Sequence, residues 1–155
     1  MGDPEQGQRG YDDFDAFVAE LQREIDEQAR AIYSETVIAE ANNPKNVGRI
    51  EAPTAKGLVH GWCGDTMEIY LRLEGDRIAQ ATFMTDGCGP TLACGSRLTR
   101  MIHGLSIDEA GEIVPEDLIA ALDGLPEESE HCATLAISTL QNAIFNWRGP
   151  PQRRS

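Results

Sequence analysis

From Tyr11 onward, apolar residues fall at Phe14, Phe17, Val18, Leu21, Ile25, Ala29 and Ile32, with charged residues on the opposite side. That spacing predicts an amphipathic helix with a face that packs on something. It continues, with a break, to about Ala41, because Asn42-Asn43-Pro44 joins turn formers to a proline that disfavours helix before it. A loop through Asn46-Val47-Gly48 follows. Between Lys56 and Thr85 the period changes to two: Met67, Ile69, Leu71 and Leu73 alternate with Glu68, Tyr70, Arg72 and Glu74. This predicts a half-buried strand that turns at Glu74-Gly75-Asp76 into a partner from Arg77 to Thr85, with an earlier strand from Leu58 to Trp62.

Beyond the strands the pattern is helical again. Pro90 suits a first helical position, and Leu92, Leu98, Met101 and Ile102 make a stripe ending at Gly104. Ser106 to Glu109 has the form of a capping box, and Pro115 opens a helix with Leu118, Ile119 and Leu122, closed by Gly124. The last helix carries Leu135, Ala136, Leu140, Ala143, Ile144 and Trp147 and stops at Gly149-Pro150-Pro151. The expected fold is α+β: a small three-stranded antiparallel sheet packed against helices, with a long N-terminal helix. One domain is expected over residues 11–148. Residues 1–10, which lack an apolar period, and 149–155 are expected to be flexible tails.

Length agrees with this, since 155 residues suffice for one compact core. Charge narrows the partners. With 13 Lys+Arg against 26 Asp+Glu the net charge is −13, so phosphate backbones are repelled and nucleic acid is not an expected partner. The acidic run in the N-terminal helix, Asp12 to Glu27, reads as a solvated face that a basic partner surface could use. No apolar run approaches the roughly 20 residues that span a bilayer, and MGDPEQGQRGYDD lacks the basic-then-apolar order of a secretory signal. The expectation is a cytoplasmic protein with no membrane partner. Its four cysteines are too few and too scattered for a secreted disulfide scaffold, so in a reducing compartment they are available for metal.

Three of those cysteines stand where the pattern places element ends. Cys63 follows the first strand, Cys88 lies in Gly87-Cys88-Gly89 between a strand and a helix, and Cys132 begins the last helix. Peptide N–H groups and the positive end of a helix dipole favour thiolate, the form that binds metal or attacks sulfur. The glycines beside Cys88 let backbone N–H groups approach a ligand closely, and Gly64 serves Cys63 likewise. Taken singly, each cysteine is more often a small buried hydrophobe, and Cys63 with Asp65 could equally be an ordinary turn. No Cys-x-x-Cys pair occurs, so spacing does not support a zinc ribbon or a thioredoxin-type pair.

The ordered set Asn43-Pro44-Lys45-Asn46-Val47-Gly48, Cys63-Gly64-Asp65, Asp86-Gly87-Cys88-Gly89 and His131-Cys132 resembles the U-type iron–sulfur scaffold family, the IscU proteins and the N-terminal domain of NifU. The resemblance runs from about Ile32 to Trp147. It implies a non-enzymatic scaffold that receives sulfur from a cysteine desulfurase, binds iron, and passes the nascent cluster, expected to be [2Fe–2S], to apo-proteins. By position it implies Cys63, Asp65, Cys88 and Cys132 as cluster ligands, with His131 as an exchange ligand. A carboxylate oxygen is a poorer partner for cluster iron than a thiolate, so Asp65 is the expected labile corner.

Two departures stand out. Cys94, where the family commonly has a small hydroxyl residue, lies nearly two helical turns after Cys88; it is expected in the core, the sharper alternative being a sulfur-accepting thiol. Leu125-Pro126-Glu127-Glu128-Ser129-Glu130 stands where the Isc-system scaffold has a Pro-Pro-Val-Lys sequence read by an Hsp70-type chaperone, which speaks against that partner. His60 and His103 are read as an exposed strand histidine and a residue favourable to a helix C-terminus. Two other functions use the same residues: a zinc-bound sulfur-transfer protein with a closed tetrahedral site, and a thiol-dependent enzyme with Cys88 as nucleophile and His131 as base.

Overall fold

The computed structural model describes the backbone of residues 4–61, 64–87 and 89–148, and the side chains of these except 4–12, 26 and 29–31. It divides into two compact units, residues 1–33 and 34–155. The first contains helix α1, Pro4–Ile32. This helix begins well before Tyr11: Pro4 sits at a first helical position, where its missing N–H costs nothing, and an absent apolar period speaks to packing rather than to helix formation. The expected break falls at Tyr33 and Ser34.

In the second unit, α2 spans Glu35–Asn42, and the Ser34 hydroxyl caps it by accepting from the Val37 N–H at 3.1 Å. The sheet follows: β1 Ala55–His60, β2 Thr66–Glu74 and β3 Arg77–Thr85, antiparallel in the order β1-β2-β3. Ile69 lies between Gly57 and Phe83 in this register. The first strand starts earlier than Leu58 and stops at His60; Trp62, its expected end, lies outside the described residues.

Met67, Ile69, Leu71, Ile78 and Phe83 are fully buried. Helix α3, Gly89–Ile102, packs on β3, and α6, Glu130–Arg148, packs along β1 and β2. Two glycines set that spacing. A Cβ on Gly95 would stand 2.4 Å from the Phe83 ring, and one on Gly57 would stand 2.3 Å from the Thr139 carbonyl of α6. The other face of the sheet differs from a simple polar face. Tyr70, which the alternation places there, is only 4% exposed, because Arg49 Nε donates to its hydroxyl at 3.2 Å and the Lys56 ammonium sits 5.3 Å from its ring centre.

Both sheet edges have partners, which blunts strand-to-strand aggregation. Along β3, Phe83 N–H donates to the Asn46 carbonyl and Gly48 N–H to the Phe83 carbonyl, each at 2.9 Å. Along β1, Leu58 N–H donates to Asn142 Oδ1 and Asn146 donates to the Lys56 carbonyl. Short helices complete the unit: α4 Ile107–Gly111, with the expected capping box from Ser106, and α5 Pro115–Ala121, then a 3-10 turn at Glu127–Ser129. Buried Glu40 joins α2 to α3 by accepting from Ser96 Oγ and Arg100, while Ser96 Oγ accepts from Lys45 N–H at 2.9 Å. Among the described residues no helix is long and apolar enough to cross a membrane.

Candidate metal centre

The loops between β1 and β2 and between β3 and α3 emerge at the same end of the sheet, a consequence of the antiparallel order. They are tied together: Thr66 N–H donates to Asp86 Oδ1 and Thr85 Oγ1 to the Thr66 carbonyl, both at 2.7 Å. Gly87 N–H returns to Thr85 Oγ1 at 3.0 Å. Cys63 and Cys88 themselves lie outside the described residues. What the structure supplies is the setting on either side of each.

After Cys63 the chain makes a tight turn. Gly64, at φ +98°, donates to the Gly61 carbonyl at 3.0 Å, and Gly61 donates to the Asp65 carbonyl at 2.7 Å. Gly64 therefore serves to reverse the chain and set the half-buried Asp65 carboxylate toward α3. Thr91 Oγ1 donates to Asp65 Oδ2 at 3.2 Å.

Cys132 approaches the same hydroxyl from α6. Pro126 and the 3-10 turn lead into the helix, so α6 starts at Glu130 rather than at Cys132, and the thiol stands inside its first turn. There the positive end of the helix dipole favours negative sulfur. Cys132 is 3% exposed, its Sγ accepts from Thr91 Oγ1 at 3.3 Å, and His131 Nε2 lies 3.7 Å from it. Asp65 and Cys132, two of the five expected site residues, thus meet at the first turn of α3, beside the segment that carries Cys88, and His131 stands next to Cys132. A thiol, a carboxylate and an imidazole are a donor set for iron or zinc. Among the described residues, no three Cys, His, Asp or Glu side chains stand close enough together to hold a metal ion.

Thr91 is the residue that pattern reasoning missed. It is fully buried, and Gly87 has no room for a side chain against it: a Cβ there would come within 2.7 Å of Thr91 Cβ and Cγ2. The available signal was its place three residues after Cys88, one turn along a helix on the same side. Cys94 is different. It is fully buried in mid-helix, and burial, assisted by nearby Cys132, pushes its thiol far above the usual range, as suits a core residue. His60 is exposed on β1 with Nδ1 2.6 Å from Thr66 Oγ1. It shares with His131 a cavity of about 180 Å³, so it stands nearer the site than a solitary strand histidine would. His103 is exposed just beyond α3.

A small antiparallel sheet that presents a thiol and a carboxylate from a loop and a helix start belongs to a recognised class. The chain belongs to the NifU-like N terminal domain family, which matches residues 32–154. It is 38% identical over 117 residues to iron–sulfur cluster assembly scaffold protein IscU 1 of Archaeoglobus fulgidus, covering 75% of this chain and 76% of that one. It is 40% identical over 124 residues to nitrogen fixation protein NifU of Azotobacter chroococcum; these cover 78% of this chain and 40% of that longer relative. Its fold is similar to the N-terminal part of a nitrogen-fixing NifU-like protein from Brucella abortus. The TM-score is 0.63 at 18% identity, over 80% of this chain and 96% of that one.

Proposed function

We propose that this chain is an iron–sulfur cluster assembly scaffold: it accepts sulfur from a cysteine desulfurase, combines it with ferrous iron using electrons from a separate donor, and passes the cluster to apo-proteins. The observation that carries the proposal is the meeting of Asp65 and Cys132 on one buried hydroxyl, at 3.2 and 3.3 Å, beside the segment bearing Cys88. Membership of the NifU-like family supports the same conclusion. The cargo is a [2Fe–2S] cluster, with Cys63, Cys88 and Cys132 as thiolate ligands and Asp65 as the fourth. His131, whose Nε2 lies 3.7 Å from Cys132 Sγ, is the ligand we assign to exchange with Asp65.

The donor set suits assembly and release together. Soft thiolates hold sulfide-bridged iron firmly, whereas a carboxylate oxygen is a weaker partner and leaves first. Cys132 sits in a helix first turn whose N–H groups favour its anionic form, and the burial around it limits water at that corner. The acidic surface, net −13, favours a basic desulfurase face.

Anaerobic reconstitution with ferrous iron, cysteine, a catalytic amount of a desulfurase and a dithiol reductant as electron donor tests this. The protein should develop the visible absorption of a [2Fe–2S] centre, and adding an apo-ferredoxin should move that absorption to the acceptor. A protein that stays colourless and keeps one equivalent of zinc would instead make it a zinc-bound sulfur-transfer protein.

A further inference from the structure

Thr91 contacts two proposed ligands at once. Its hydroxyl carries a single hydrogen, so it can donate to the Asp65 carboxylate or to the Cys132 sulfur but not to both. The two acceptors stand at nearly equal distances, 3.2 and 3.3 Å. Thr91 is fully buried, so water does not stand in readily for either bond. Gly87 also lies close against it, since a Cβ on that glycine would stand 2.7 Å from Thr91 Cβ and Cγ2. The bond the hydroxyl makes is therefore decided by the acceptors and not by movement of Thr91.

We propose that Thr91 is a positioning residue that gives the Asp65 carboxylate a partner when it is off the metal, and so sets how readily that corner opens. While Asp65 is on the metal, the Thr91 hydroxyl turns to Cys132 Sγ. As Asp65 leaves, the hydroxyl turns back, and the half-buried carboxylate exchanges a metal bond for a charge-assisted hydrogen bond rather than depending on water alone. Opening is easier for that reason, and cargo leaves through a corner that has somewhere to go. This rests on the scaffold reading for its biological sense, but the chemistry is testable with zinc alone.

The full chain and its Thr91→Val, Thr91→Ser, Asp65→Ala and Thr91→Val/Asp65→Ala variants are loaded with one equivalent of zinc, and release to a coloured chelator is timed. Valine keeps the shape of threonine and removes the hydroxyl; serine keeps the hydroxyl. Thr91→Val should slow release by up to roughly tenfold, the order of one hydrogen bond to a charged group, less what the closed state loses with the bond to Cys132 Sγ. Thr91→Ser should release as wild type does. In the Asp65→Ala background, Thr91→Val should change the rate by no more than about twofold, which a packing effect of valine would not produce. Release from Thr91→Val at the wild-type rate would overturn the proposal, as would equal slowing with and without Asp65. Thermal unfolding of each variant reports separately on folding. Wild-type reconstitution with a cluster is run alongside: its failure would overturn the scaffold reading and with it the role in cluster release, whereas a loaded wild type with an unaffected Thr91→Val would overturn the role of Thr91 alone.

Discussion

Cys132 and Cys94 are both buried, both on helices that pack against the sheet, and their surroundings differ. Cys94 stands in the middle of α3, fully enclosed, at a point where every peptide group is already spent on the helix, and its thiol is held far from ionisation. Cys132 is nearly as buried, yet it lies in the first turn of α6 with Thr91 donating to its sulfur and His131 beside it. Burial by itself therefore does not separate Cys94 from Cys132, the proposed ligand. What separates them is position along the helix: the first turn of α6 sets the positive end of the dipole, the Thr91 hydroxyl and His131 beside the Cys132 sulfur, and the middle of α3 offers Cys94 no such setting.

The largest expected effect breaks the comparison if it fails. Cys132→Ala should abolish cluster uptake in reconstitution, with the far-ultraviolet circular dichroism unchanged. Cys94→Ala should take up cluster as wild type does and lose only about 1–2 kcal/mol of stability, the cost of a small cavity. Loss of uptake in Cys94→Ala would mean that the mid-helix thiol belongs to the site after all.

A second test sharpens the comparison by moving α3 without touching a sulfur. Gly95→Ala would bring a methyl to 2.4 Å from the Phe83 ring, so either the helix or the ring must shift. Chemical denaturation should show a loss of about 2–3 kcal/mol. Because the start of α3 carries Thr91 and adjoins Cys88, the same variant should also hold zinc less tightly than Cys94→Ala does.

The smallest effect is expected far from both cysteines, at the start of α4. Ser106→Ala removes the cap and should cost about 1 kcal/mol in denaturant titrations without altering metal binding. Within the same box, Glu109 is held below the usual carboxylate range, chiefly by the Ser106 backbone N–H. A lowered folded value means that its stabilisation is present above the unfolded value and disappears as pH falls through the folded one. The stability difference between wild type and Glu109→Gln should accordingly shrink toward zero on acidification.

Much of this molecule was legible along the chain because its signals are local. The period-two run from Met67, the turn at Gly75, the cap at Ser106 and the prolines at 90 and 115 each act on their near neighbours, and β2, β3 and the helices after them stand where those signals place them, whereas β1 begins three residues before its expected start. The family likewise follows from short motifs in order. Signals for contact are weaker: nothing near Tyr70 announces that Arg49 and Lys56 will cover it, and nothing near Glu40 announces Ser96 and Arg100.

At the site the division is the same. The chain alone determined which residues have metal-binding chemistry and that several stand at element ends, since side-chain identity and local backbone preference are properties of short segments. Only the tertiary structure decided that Asp65 and Cys132, from a loop and a helix far apart in sequence, share one hydroxyl on a third element, and that Cys94 stays in the core. Those outcomes depend on how α3 and α6 pack across the sheet, and the packing is set by close approaches such as Gly95 on Phe83 and Gly57 on α6, which involve partners that no local pattern names.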